Sequence, residues 1–352
     1  MKFYIKLFVI SFIAFMTIIA GVFFAIEKGQ SKAPGASESE TNIPDITAEP
    51  NETEPEVVDT RTELEKLADS SNRVNVIAFG LNDMLADTMM LISFDPDSQH
   101  MDILSIPRDT YHHVKGFDAP GYKKMNAVYG MKEVGGVNGM KKYISEFLGI
   151  PVDYYVKVDF KAVESVVDVL GGYSVKVPFD MDYDDNWAKP ALHIHFKAGQ
   201  QTLSGADTVK FLRFRKNNSG SISEGDIQRI PRQQTFVKSM IEKALSSQLP
   251  SVINTIINSN YVKTDMTIET ALGYAVKAAS MQSDDITFYT VEGHDERIGK
   301  LDYWIHDPEA LERTLLTIYG ADVSEEKTDD AADTDKAKDA EKNDTDKKDT
   351  SN

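Results

Sequence analysis

The sequence predicts an α/β fold: a layered domain with a central mixed β-sheet flanked by helices, preceded by one N-terminal transmembrane helix. Three observations carry this reading. Short β-branched and aromatic runs alternate with helix-patterned stretches between residues 74 and 320, as in layered α/β domains. The first three runs follow one another too closely for helical crossovers, so part of the sheet pairs antiparallel and the whole is mixed. Ahead of them, Leu7 to Ile26 form a run of 20 residues without a charge.

Residues 1–6 are a short tip carrying Lys2 and Lys6. The run 7–26 makes a helix about 30 Å long, the thickness of a bilayer's hydrocarbon core. It exceeds the roughly 7–15 apolar residues of a cleaved signal peptide, so it reads as an uncleaved signal anchor. The upstream lysines hold the N-terminus in the cytoplasm and place the rest of this single-pass protein outside the cell membrane. Residues 27–73 carry 12 acids and five bases with no aromatic residue. They read as a flexible acidic linker, helical at most near Arg61 to Ala68.

The domain spans 74–320. Expected strands are Val74–Gly80, Thr88–Phe94, Met101–Ile106, Tyr154–Asp159, Tyr173–Val177 and Ile286–Val291. Expected helices are Met140–Leu148, Lys161–Leu170, Gln233–Leu249, Ile268–Met281 and Pro308–Tyr319, with Val163, Val166, Val167 and Leu170 recurring at helical spacing. Residues 321–352, rich in Asp, Lys, Thr and Ala, read as a disordered charged tail.

The formal net charge is -18, and the domain itself holds 32 acids against 25 bases. Such a balance argues against nucleic acid as a partner, which needs a basic face. The absence of cysteine excludes disulfides, thiol catalysis and thiolate-held zinc.

Arginines concentrate in three places. Ser105-Ile106-Pro107-Arg108-Asp109 follows a strand that proline must end, setting Arg108 at the edge of the sheet, where α/β proteins bind ligands. In Phe211-Leu212-Arg213-Phe214-Arg215-Lys216, an extended backbone would put Arg213 and Arg215 on one face as a guanidinium clamp for phosphate; a solvated basic strand fits the same pattern. Asp226 to Gln234 precedes a helix whose first position Pro231 would mark, gathering Arg229, Arg232 and Gln233 at an anion-binding N-terminus. Asp83 and Asp87 share the loop after the first strand and supply hard oxygens for magnesium where phosphate completes the shell. His193 and His195 share a strand face but show no third ligand in the sequence, and read as ordinary strand residues.

Together these motifs resemble the LytR-CpsA-Psr family of bacterial envelope proteins, from about Val74 to Leu245. The matching pieces, in the family's order, are Ala86-Asp87-Thr88-Met89-Met90, Ser105 to Thr110, Lys124-Met125-Asn126-Ala127, Val167 to Gly172 before Val175-Lys176-Val177-Pro178, Leu203-Ser204-Gly205, and Arg213-Phe214-Arg215 with Asp226, Arg229 and Arg232-Gln233-Gln234. The resemblance implies a membrane-bound, magnesium-dependent phosphotransferase. It would move a glycopolymer (teichoic acid, capsule or a related glycan) from a polyprenyl pyrophosphate carrier to peptidoglycan, with the prenyl chain in an apolar tunnel. By motif match, Arg108, Arg213, Arg215 and Arg229 would hold the pyrophosphate with Gln233 and Lys124, and Asp87 the metal. Asn82 stands where the family usually has a second metal carboxylate, a role that passes to Asp83, and Leu85 where it has an arginine. A non-catalytic binder of polyprenyl phosphates and a pyrophosphatase acting on the same lipids are the competing expectations; the general base is not assigned.

Overall fold

A computed structural model describes residues 59–188, 191–245, 261–278 and 281–322. The expected anchor, most of the linker and nearly all of the tail lie outside the described residues, and among those no helix is long and apolar enough to cross a membrane. Thr62 opens α1 (Glu63–Ser70) with a capping box to Glu65. Then come β1 (Val74–Asn82), β2 (Leu85–Asp95), β3 (His100–Ser105), α2 (Gly136–Leu148), β4 (Tyr154–Val158) and α3 (Phe160–Val169). They are followed by β5 (Tyr173–Val177), β6 (Met181–Asp185), β7 (Leu192–Phe196), β8 (Gly199–Leu203), α4 (Gly205–Arg213) and α5 (Asp226–Leu245). The chain continues through β9 (Val262–Thr264), α6 (Ile268–Lys277), β10 (Ile286–Thr290), β11 (Gly293–Ile298), β12 (Leu301–His306) and α7 (Pro308–Ile318).

Six strands form the central sheet in the order β10-β3-β2-β1-β4-β9. β1, β2 and β3 make an antiparallel meander, β4 and β10 join it in parallel, and β9 pairs antiparallel with β4. The sheet is therefore mixed, as expected. Alternation along the strands loads both faces. Val74, Val76, Met90, Phe94 and Ile103 enter a core with Val167 of α3, Phe211 of α4 and Met240 of α5. Ile77, Phe79, Met89, Leu91 and Leu104 enter a second core with Leu64 of α1, Ile144 of α2 and Leu311 of α7. Arg73, just ahead of β1, and Asp102 of β3 form a buried ion pair at 2.7 Å.

Several expectations need correction. Arg213 closes the helix α4 and Phe214 turns the chain out of it, so Arg213-Phe214-Arg215 is not a strand. α5 begins at Asp226, which leaves Pro231 inside the helix and not at its start; residues 246–249 of the expected helix lie outside the described residues. α6 ends at Lys277, four residues before the expected end. In residues 59–73, expected as linker with a helix only near Arg61 to Ala68, that helix forms and is no linker: its Leu64 is buried in the second core. Unforeseen were α4 and the strands β6, β8, β9, β11 and β12, while the strand residues read at His193 and His195 form β7; β5–β8, β6–β7 and β11–β12 form two-stranded ribbons.

Candidate functional site

The carboxyl ends of β1, β3 and β4 lie together, since β1 and β4 run parallel and β2 returns between β1 and β3. Ligands of α/β sheets bind at such an end. Here a cavity of about 420 Å³ opens between the sheet and the helices α3, α4 and α5. Its wall is apolar, with Val156, Val163, Leu212, Phe236 and Met240 among the lining side chains. Its polar lining is a short set: Asn82, Asp87, Thr88, Arg213, Arg215, Arg229 and Gln233, joined by Tyr183 and Asp185 of β6.

Backbone geometry explains why these groups meet. Pro107 ends β3, and the Arg108 N–H, freed from the ladder, donates to Asp226 Oδ2 at 2.8 Å. The other oxygen of Asp226 accepts from Arg229 Nη2 at 2.6 Å, one turn along α5. Asp226 thus ties the Arg108 loop to the first turn of α5. Burial pushes its carboxyl up, while Arg229 and Arg108 pull it back. Gln234, on the next turn, donates to Ser105 Oγ at 3.0 Å, to the Tyr289 carbonyl at 3.0 Å and to Thr290 Oγ1 at 3.2 Å, fixing α5 to β3 and β10.

Arg108 Nη1 donates to Asp87 Oδ1 at 2.6 Å. Burial disfavours the Arg108 charge, but Asp109, Asp87 and Asp226 together hold its pKa above the ordinary value. Desolvation, followed by repulsion from Arg108 and Arg229, pushes Arg215 down; it stays a cation. Arg213 stacks its guanidinium over Phe160 at 4.7 Å. Among the described residues neither Arg213 nor Arg215 pairs with a carboxylate, whereas Asp87 and Asp226 are taken by Arg108 and Arg229. Arg108 Nε and Arg229 Nε are buried without a hydrogen bond; Arg108 Nε has Asp109 at ion-pair distance, 3.6 Å. Unmatched donors on this scale suit a polyanion.

The expected residues divide accordingly. Asp87, Arg213, Arg215, Arg229 and Gln233 line the cavity, and Arg108 joins them through Asp87. Lys124 does not line it: its ammonium binds Asp109 at 3.0 Å and lies over the Tyr303 ring at 5.3 Å, bracing the Arg108 loop. Asp83 sits in the exposed β1–β2 turn at φ 56° and is not a lining residue; Asn82 is. Asp87 and Asn82 still offer two hard oxygens at the mouth, a fit for a magnesium ion that completes its shell with phosphate and water. Arg232 is structural, paired with Glu224 and stacked on Phe211 and Phe214. Reading the sequence missed Tyr183 and Asp185, and gave Asp226 no role although its three-residue spacing from Arg229 signals a helical ion pair.

Comparisons with known proteins agree in one direction. Residues 41–318 match the LytR_cpsA_psr family model. Polyisoprenyl-teichoic acid–peptidoglycan teichoic acid transferase TagV of Bacillus subtilis (strain 168) is 30% identical over 237 residues, which are 66% of this chain and 59% of that protein. The chain therefore spans about three fifths of the length of that relative. The crystal structure of B. subtilis TagV superposes with a TM-score of 0.57 at 27% identity, over 72% of this chain and 99% of that one. A structure described as TagT bound to LI-WTA matches with a TM-score of 0.55 at 25% identity, over 71% of this chain and 91% of that one.

Proposed function

Because the chain belongs to the LytR_cpsA_psr family, we propose that it transfers a glycopolymer of the teichoic acid class from a polyprenyl pyrophosphate carrier to peptidoglycan, releasing polyprenyl phosphate. The observation that carries this is an apolar cavity whose lining includes two arginines, Arg213 and Arg215, that pair with no carboxylate among the described residues. A ligand fitting both must be a long apolar chain ending in several negative oxygens. Relatives named as transferases of polyisoprenyl-linked teichoic acid support the same class.

In the transfer, the acceptor hydroxyl oxygen bonds to the glycan-bearing phosphorus as the bond from that phosphorus to the bridging oxygen breaks. The proton of the hydroxyl passes to a base, and the bridging electrons leave with polyprenyl phosphate. Such a step needs in-line positioning and charge stabilisation more than covalent help. Arg213 and Arg215 bind the pyrophosphate oxygens, and Arg108 and Arg229 add donors behind them. Phe160 holds the Arg213 plane, and Asp226 holds Arg108 and Arg229 in register. Asp87 and Asn82 would hold magnesium, which when bound neutralises phosphate charge. The reading is completed by an anchor at 7–26, a linker that ends ahead of α1, an external domain from α1 to residue 320 and a tail at 321–352, with the membrane supplying the lipid substrate.

The test is a transfer assay with the full chain in detergent micelles, labelled polyprenyl pyrophosphate–glycopolymer and isolated peptidoglycan. Label should become covalently wall-bound, and omitting magnesium should abolish this. Release of free glycan phosphate without wall attachment would make the protein a pyrophosphatase. Lipid binding without turnover would make it a carrier.

A further inference from the structure

The β6–β7 ribbon has two unlike faces. Tyr183, Asp185 and Leu192 line the cavity, while Asp182, Asp184, His193 and His195 occupy the alternate, exposed positions. The antiparallel register sets Asp184 opposite His193 and Asp182 opposite His195. Asp184 Oδ1 lies 2.5 Å from His193 Nδ1 and 3.3 Å from His195 Nε2, and the three ligand atoms fall within 4.8 Å of one another. Donors around a tetrahedral zinc, at roughly 2.0–2.1 Å from the ion, stand roughly 3.3 Å apart, the spacing of Asp184 and His195; the closer Asp184–His193 contact is a hydrogen bond that opens to admit an ion. The neighbouring strand thus sets a carboxylate beside both imidazoles.

Outer partners already orient these groups. His195 Nδ1 is 2.7 Å from Asp182 Oδ1, which turns its Nε2 toward Asp184. Asp184 Oδ2 accepts from Asn218 Nδ2 at 3.0 Å, and Asn218 Oδ1 in turn accepts from the Asp184 backbone N–H at 3.0 Å. A carboxylate behind a histidine and an amide behind a carboxylate are the supports found around bound metals. Imidazole donors favour zinc and its neighbours, where magnesium prefers all-oxygen shells.

We propose that Asp184, His193 and His195 form a zinc-class transition-metal site on the outer face of the β6–β7 ribbon, separate from the magnesium donors at the cavity mouth. Water completes the shell. The ion would clip β6 to β7 across the ribbon whose other face walls the cavity.

The site is testable without turnover. Full-length chain in detergent micelles, stripped with a chelator and kept in millimolar magnesium, is titrated with zinc chloride by calorimetry. One zinc per chain is expected, with a zinc-dependent rise in melting temperature; cobalt should give the intense visible bands of four-coordination. His193→Ala or His195→Ala should weaken zinc binding at least about tenfold, and Asp182→Asn by about 10–100-fold through the lost support. Asp87→Ala should leave it unchanged. Absence of saturable binding to the wild type, undiminished binding by a folded His193→Ala/His195→Ala double variant, or loss of zinc in Asp87→Ala would each overturn the proposal.

Discussion

Among the described residues Arg213 and Arg215, unlike Arg108 and Arg229, pair with no carboxylate, so their charge is available to a ligand without breaking such a pair. Removing one donor from a transition-state site costs about 2.7–4 kcal/mol, or roughly a hundred- to a thousand-fold in rate. Arg213→Ala and Arg215→Ala should each lose that much in the transfer assay with little change in melting temperature. Arg213→Lys should also fail, because an ammonium reproduces neither the fork nor the stacking on Phe160. Asp87→Ala should cut magnesium-dependent turnover while leaving the fold intact, since it removes one partly exposed acid. Arg108 would then be free to swing toward the ligand, so binding of polyprenyl phosphate, measured by tryptophan fluorescence or calorimetry, should survive better than turnover. The arginines were legible from the sequence as types in a pattern. Their pairing state was not, because Asp87 and Asp226 reach Arg108 and Arg229 only through the folded sheet end.

The position of α4 decides where Arg213 sits. Gly205 opens this helix against α3: a Cβ there would come within 2.0 Å of the Glu164 carbonyl oxygen, and the Gly205 N–H already donates to Asp168 Oδ1 at 2.6 Å. Gly205→Ala should cost about 1–3 kcal/mol by overpacking, seen as a lower midpoint in urea, and should lower transfer as well by shifting α4 along its axis. The sequence rule used for Arg213 and Arg215 failed on the element, yet both residues line one cavity. Period-two logic requires a strand, yet a helix end followed by the turn at Phe214 also delivers both guanidiniums to one mouth, with Phe214 fully buried behind them. Pro231 misled for a related reason: proline is commonest in a first helical turn, but here the Asp226–Arg229 pair occupies that turn and the helix tolerates the proline one turn later. The central strands β1 to β3 were legible because apolar residues are buried on both of their faces. β6 was not, because Met181-Asp182-Tyr183-Asp184-Asp185 buries only alternate positions and is rich in residues that disfavour strands.

Two half-buried histidines make the fold acid-sensitive. His112 packs on Tyr143 and Phe147 with its Nε2 buried and unbonded, and burial lowers its pKa below 6.5. His306, edge-on to Phe147, is lowered by the same cause, against a smaller opposing pull from Asp307. Between the folded pKa and 6.5 the unfolded chain binds these protons and the native protein does not, so stability is present above pH 6.5 and is lost as pH falls through the folded values. Melting temperature should fall on acidification below about pH 6.5, and His112→Gln should flatten part of that fall. The same region holds a consequence for biogenesis. β10 completes the sheet by pairing with β3, and Trp304 braces the Arg108–Asp109 loop, donating its N–H to the Asp109 carbonyl and accepting from the Tyr111 N–H, both at 2.9 Å. A chain made from its N-terminus therefore carries an open β3 edge and an unbraced arginine loop until almost the entire domain has emerged. High contact order of this kind slows folding, and the waiting edge invites pairing with other chains. Truncations that end before residue 286 should accumulate as aggregates or degradation fragments, while the finished chain gains its ligand-binding loop in the same late step that closes its sheet.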